Sequence, residues 1–151
     1  MSVAFRREGD DEHMEPKFEL PIPPGPNWVT ARGLRLTQEK VVALEAVATD
    51  GMTEEEAKKH KRVLRYWRTR LATAEVRPVS DGKAVAFGAR VTYRLNRQEK
   101  QIAIVGDDEA DPHEGRVSFS SPLVRAMMDA EIGETVDFAG KPDAIDIVAI
   151  A

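Results

Sequence analysis

The apolar period of the chain changes once, at Pro78. Upstream of it, Ala57, His60, Leu64, Trp67, Leu71 and Ala74 recur every three or four residues, the spacing of an a/d helix seam. Downstream, the stretches 86–95, 101–105, 116–120 and 144–150 read as short strands. Helices come first and strands follow, so the expected class is α+β. The expected architecture is an N-terminal antiparallel helical hairpin, a coiled coil, then a mostly antiparallel β-sheet domain with one short helix.

Local punctuation supports that order. Thr30 is a candidate N-cap, followed by Leu34, Val41, Leu44 and Ala48 at helical spacing. Thr49-Asp50-Gly51-Met52 interrupts the pattern, and Gly51 suits a left-handed C-terminal position. Thr53-Glu54-Glu55-Glu56 is a Thr-x-x-Glu capping box, so a second helix starts there. Ser121-Pro122 places Ser at the N-cap and Pro at N1 of a short helix, with Leu123, Val124, Met127 and Met128 on its apolar face.

Charge divides the chain the same way. Residues 1–27 carry 3 basic and 6 acidic side chains, 28–76 carry 10 and 7, and 77–151 carry 9 and 13. The expected organisation is therefore a flexible, Pro-rich acidic arm over 1–27, a helical hairpin over 28–77 and a C-terminal domain over 78–151. Pro21, Pro23, Pro24 and Pro26 bias the end of the arm toward extended backbone.

Composition excludes several chemistries. The absence of cysteine removes thiolate nucleophiles, disulfides and Cys-ligated metals. His13, His60 and His113 show no metal spacing, and no phosphate loop, nucleophile elbow or zincin motif occurs. No apolar run approaches a membrane span and the first residues lack a secretory apolar region, so a soluble, cytoplasmic protein is expected.

Two acidic clusters remain. Asp107, Asp108, Glu109 and Asp111 fail the calcium-loop order and read as an acidic turn between strands. Asp50, Glu54, Glu55 and Glu56 fall at the tip of the expected hairpin. They complement a helix N-terminus, or they form a carboxylate probe on a rod. The second hairpin helix is basic, through Lys58, Lys59, Lys61, Arg62, Arg65, Arg68 and Arg70. That face reads as solvated, or as a surface for nucleic acid or an acidic protein.

The C-terminal half resembles the bacterial GreA/GreB transcription elongation factors. The residues that carry the resemblance are Phe87-Gly88-Ala89-Arg90-Val91, Ile104-Val105-Gly106-Asp107-Asp108-Glu109-Ala110-Asp111, Val117-Ser118, Ser120-Ser121-Pro122-Leu123-Val124-Arg125-Ala126 and Ile132-Gly133-Glu134. Upstream, Val29-Thr30-x-x-Gly33 and Leu71-x-x-Ala74-x-Val76 are similar to the family's start and end of the hairpin. The resemblance implies an FKBP-like C-terminal domain that docks on RNA polymerase near its secondary channel. It implies a hairpin entering that channel, whose tip acids assist metal-dependent cleavage of backtracked RNA by the polymerase.

The roles expected from the resemblance are these. Asp50, Glu54, Glu55 and Glu56 are the tip acids. Ser121, Pro122, Leu123, Val124, Met127 and Met128 shape the polymerase-docking surface. The chain is not itself an enzyme and has no catalytic residue, metal site or cofactor of its own, any magnesium ion being held mainly by the polymerase. Its partner is RNA polymerase, with nucleic acid met only inside the transcription complex, no membrane, and a monomeric state.

The tip departs from the family pattern G-D-L-x-E-N-x-E-Y, reading Asp50-Gly-Met-Thr-Glu54. Each arm is about ten residues shorter, roughly 15 Å of reach. A second reading follows: a non-cleaving secondary-channel inhibitor, or a protein like the regulators of nucleoside diphosphate kinase. Two further alternatives are a nucleic-acid-binding module and a prolyl isomerase. For the isomerase, residues 77–151 offer only Phe87, Tyr93, Phe119 and Phe138 as pocket aromatics.

Overall fold

The computed structural model describes residues 19–151, so the arm up to residue 18 lies outside the described residues. The chain divides into two units. One comprises the described part of Met1–Gly25 with Thr37–Thr73; the other comprises Pro26–Leu36 with Ala74–Ala151. The domain therefore does not begin at residue 78. It also takes in the stretch before and into the first helix.

The larger unit opens with β1 (Trp28–Val29), pairs it in parallel with β2 (Glu75–Val76), and continues as a five-stranded sheet. The strands are β3 (Arg90–Leu95), β4 (Gln98–Val105), β5 (Arg116–Ser118), β6 (Thr135–Phe138) and β7 (Lys141–Ile150). Their order is β5-β4-β3-β7-β6, antiparallel except for the β4–β5 pair. That pair is parallel because residues 106–115 run back alongside the sheet instead of turning tightly. This is the expected α+β class with a mostly antiparallel sheet.

The strand limits differ from the sequence reading for local reasons. Gly88 adopts φ +86, which breaks extended backbone, so β3 starts at Arg90 and not at residue 86. Asn96 and Arg97, both at positive φ, form a two-residue hairpin turn that pairs Leu95 with Gln98 and brings β4 forward by three residues. Ala139 and Gly140 do the same between β6 and β7.

The core lies on one face of this sheet. Val91 and Tyr93 of β3, Ile102 and Ile104 of β4, and Ile145 and Ile147 of β7 alternate inward at period two. Val124 and Met127 of α3 (Pro122–Met127) close the layer. (The two upstream helices are α1, Ala31–Glu45, and α2, Glu54–Thr73.) The Ser121 hydroxyl accepts from the Val124 N–H at 3.2 Å, so the expected cap is present. Burial raises the Tyr93 phenol above its ordinary pKa.

The smaller unit holds most of α1 (Ala31–Glu45) and all of α2 (Glu54–Thr73). The Thr53 capping box forms as expected. Thr53 N–H donates to Glu56 Oε1 at 2.8 Å, and Glu56 N–H to Thr53 Oγ1 at 3.1 Å. Replacing Thr53 with Ala is expected to destabilise the start of α2 by about 1 kcal/mol. Amide exchange of residues 54–57 should accelerate while the sheet amides stay unchanged.

The positions of the expected coiled-coil seam are partly covered. Ala57, His60, Leu64, Trp67 and Leu71 face inward at the predicted spacing, yet all are only half-buried. The buried positions are Thr37 and Val41 on α1 and Arg70 on α2. Lys40 lies 5.6 Å from the Trp67 ring, and Glu45 accepts from Arg68 at 2.8 and 3.1 Å. Both contacts join α1 to the same turn of α2. Moreover, α1 ends at Glu45, before the Thr49–Met52 break, and Gly51 takes no positive φ.

Candidate functional site

The acidic loop after β4 is a structural clamp within the larger unit. Residues 107–109 form a single 3-10 turn. The Glu109 carboxylate, 5% exposed, accepts from Thr30 Oγ1 at 2.6 Å and Arg32 Nη1 at 2.9 Å. Thr30 Oγ1 in turn accepts from Gly33 N–H at 2.9 Å, which makes Thr30 the N-cap expected from sequence. Glu109 thus holds the first turn of α1 from a loop 79 positions later. Asp107 accepts from the Ser118 hydroxyl at 2.5 Å and the Ser120 hydroxyl at 2.7 Å. Asp111 faces Arg116, 3.8 Å away. These carboxylates are engaged by hydroxyl and guanidinium donors, and among the described residues no His, Cys, Asp and Glu group of three or more could hold a metal.

Gly106 precedes this turn for a steric reason. A Cβ there would lie 2.3 Å from the Trp28 carbonyl oxygen. The Trp28 ring stacks on Phe119 at 4.8 Å, meets Phe87 edge-on at 5.9 Å, and lies beneath the Arg77 guanidinium at 4.8 Å. This tryptophan lies outside residues 77–151, whose aromatics alone were expected to line a pocket. The missing signal was tertiary, since Trp28 joins the cluster through β1. Phe87 is buried, so the rings serve mainly as packing. A groove of about 480 Å³ borders the cluster, with Pro78, Val79 and Met128 among its walls.

The six residues expected to shape a docking surface separate into two sets. Val124 and Met127 are 0% exposed and belong to the core, so no partner can touch them in this fold. The reason is geometric: i and i+3 on a one-and-a-half-turn helix point to the same side, and that side faces the sheet. Pro122 is exposed, while Ser121, Leu123 and Met128 are partly exposed.

The four tip acids all stay exposed, at the start of α2 and in the connection before it. Glu56 is occupied by the capping box, and Glu54 lies 3.6 Å from Lys58 one turn on. Three of the seven basic side chains of α2 are paired with carboxylates of their own unit: Arg68 with Glu45, Lys58 with Glu54, and Arg65 with Glu19. Those pairs lower the positive charge that a nucleic-acid surface there would offer.

The family-model match falls on the larger unit. The family model described as "Transcription elongation factor, GreA/GreB, C-term" matches residues 80–151. That stretch is similar to the C-terminal domain of the GreA/GreB factors. A protein of Caulobacter sp. (strain K31) named Transcription elongation factor GreA is 49% identical over 72 residues, 45% of this chain and 46% of that protein. A GreA of Sinorhizobium medicae (strain WSM419) is 40% identical over 86 residues, 53% of this chain and 54% of its own. The chain thus spans about half the length of the curated relatives it matches. The solved GreA/GreB factor of Nitrosomonas europaea is 17% identical, with 85% of this chain and 99% of that chain covered, at a TM-score of 0.40. The stretch IVGDDEAD, residues 104–111, lies inside the matched range and includes the clamp residues Asp107, Glu109 and Asp111.

No helix among the described residues is long and apolar enough to cross a membrane.

Proposed function

We propose that this protein is a Gre-like transcription factor that binds RNA polymerase through residues 80–151 and presents the helical segment to the secondary channel. The observation that carries this reading is the match of residues 80–151 to a domain whose relatives are named transcription elongation factors. The accessible docking set is Ser121, Pro122, Leu123 and Met128. Asp50, Glu54, Glu55 and Glu56 modulate the active site by charge or by occupying space. A carboxylate there could assist a magnesium ion held mainly by the polymerase, with the chain supplying no reaction of its own.

Channel binding without stimulated cleavage is favoured over stimulation of the polymerase's own cleavage. Helix α1 has 15 residues, about 22 Å, and α2 has 20, about 30 Å. Two of the four acids are already engaged by Thr53 and Lys58. The test is transcript cleavage on a backtracked elongation complex with the cognate polymerase. Binding to the polymerase with cleavage at or below the intrinsic rate is the expected result. Acceleration that disappears when all four acids become Ala would establish the cleavage reading in its place. Absence of any binding to the polymerase would overturn both.

A further inference from the structure

The end of the N-terminal arm, beginning at Glu19, lies against α2. Both Glu19 carboxylate oxygens accept from Arg65, from Nε at 2.9 Å and Nη2 at 2.5 Å. Leu20 and Ile22 border a hollow of about 170 Å³ with Arg62, Arg65, Tyr66 and Thr69. Those four α2 residues stand at i, i+3, i+4 and i+7, a single stripe of the helix. The stripe combines two guanidinium groups, an aromatic ring and a hydroxyl. What occupies it is an extended segment with one carboxylate and two aliphatic side chains separated by proline.

The contact is built to come apart. Glu19 and Arg65 are about half exposed, and exposed ion pairs hold weakly. Leu20 remains 41% exposed and Ile22 45%. Pro21, Pro23, Pro24 and Pro26 have no N–H, so this backbone cannot zip onto another strand or helix. It is, however, pre-extended, which lowers the entropy lost on docking. Attachment within one chain supplies an effective concentration on the order of millimolar, enough to keep a weak contact closed. The Arg65 hydrogen bond holds the Glu19 carboxyl below its ordinary pKa.

We propose that Glu19–Ile22 is a displaceable strap over a peptide-recognition stripe on α2. Once uncovered, that stripe takes an extended acidic–aliphatic segment of a protein partner, of the Glu-Leu-Pro-Ile type. The strap is the template for its own competitor. The inference rests on the smaller unit alone and stands apart from polymerase docking by residues 80–151.

The test uses full-length protein and a fluorescein-labelled synthetic peptide of residues 19–26, ELPIPPGP, with anisotropy as the readout. Wild-type protein should bind weakly, because its own strap competes. Glu19→Lys should bind at least tenfold tighter, since its strap is released while the stripe is intact. Arg65→Glu should lose binding of this peptide, and a peptide with Lys in place of Glu should restore it. Circular dichroism of each variant checks that the fold persists, which the exposure of both residues favours. The proposal is overturned if Glu19→Lys binds no better than wild type up to about 1 mM peptide. It is equally overturned if Arg65→Glu binds the original peptide as Glu19→Lys does. Two other results would also overturn it: a wild-type dimer that exchanges straps, seen by light scattering, or salt-steep binding of RNA by Glu19→Lys without binding of peptide.

Discussion

Gly106→Ala is expected to lower the melting temperature by roughly 10 °C, from a loss of about 3 kcal/mol. Gly106 is buried and has φ −77, so alanine is conformationally acceptable there and the cost is steric. The new Cβ would meet the Trp28 carbonyl oxygen at 2.3 Å and the Trp28 carbonyl carbon at 3.5 Å. Neither atom can swing away as a side-chain terminus could. The Trp28 backbone is paired with Glu75 in β1–β2, and its ring is wedged between neighbours. Relief requires β1 to separate from the 106–109 turn, which also pulls Glu109 off Thr30. Thermal unfolding of the variant is the measurement. A melting temperature within about 2 °C of wild type would show that β1 yields freely. Gly33→Ala provides the contrast, because the nearest atom there is the Glu109 Oε1 terminus, 2.7 Å away. That carboxylate can move, so the expected loss is smaller and confined to the α1 cap.

Met127→Ala is the second large effect. Met127 is fully buried between α3 and the sheet, and truncating such a side chain costs about 2–5 kcal/mol. Its expected signature is loss of stability in denaturant, with the transition midpoint moving and its slope unchanged. Residual folded protein should keep its affinity for any docking partner. Were Met127 part of a docking surface, the opposite pattern would appear, with stability retained and binding lost. Met128→Ala discriminates further. That neighbour is partly exposed and borders the groove beside Trp28, so its truncation should cost much less stability.

Both effects explain what could be read along the chain and what could not. The capping box at Thr53, the Ser121-Pro122 helix start and the Thr30 cap were legible because their bonds close within three or four residues. The period-two burial of β3, β4 and β7 was legible for the same reason, since each strand's own alternation selects its inner face. The turn at Asn96–Arg97 was not. Its positive φ values are imposed on an arginine by the pairing of β3 with β4, without the glycine that usually marks such a turn.

The docking set shows the same division. Leu123, Val124, Met127 and Met128 are equivalent as apolar letters on one short helix. Only the sheet beneath the helix decides that two of them are core and two border solvent. The helical segment shows it too. Spacing alone placed Ala57, His60, Leu64, Trp67 and Leu71 on one face of α2. It could not say that α1 would stop at Glu45 and bring both Lys40 and Glu45 to Trp67–Arg68.

By itself, then, the sequence determined the α+β class, the helix starts and the likeness of residues 80–151 to the GreA/GreB C-terminal domain, because those rest on local hydrogen bonds, short periods and contiguous motifs. The tertiary structure alone decided that Glu109 caps α1, that Trp28 completes a cluster with Phe87 and Phe119, and that Glu19 reaches Arg65. Each of those joins residues 32 or more positions apart. Such contacts depend on how strands pair and chains return, and no local preference encodes that.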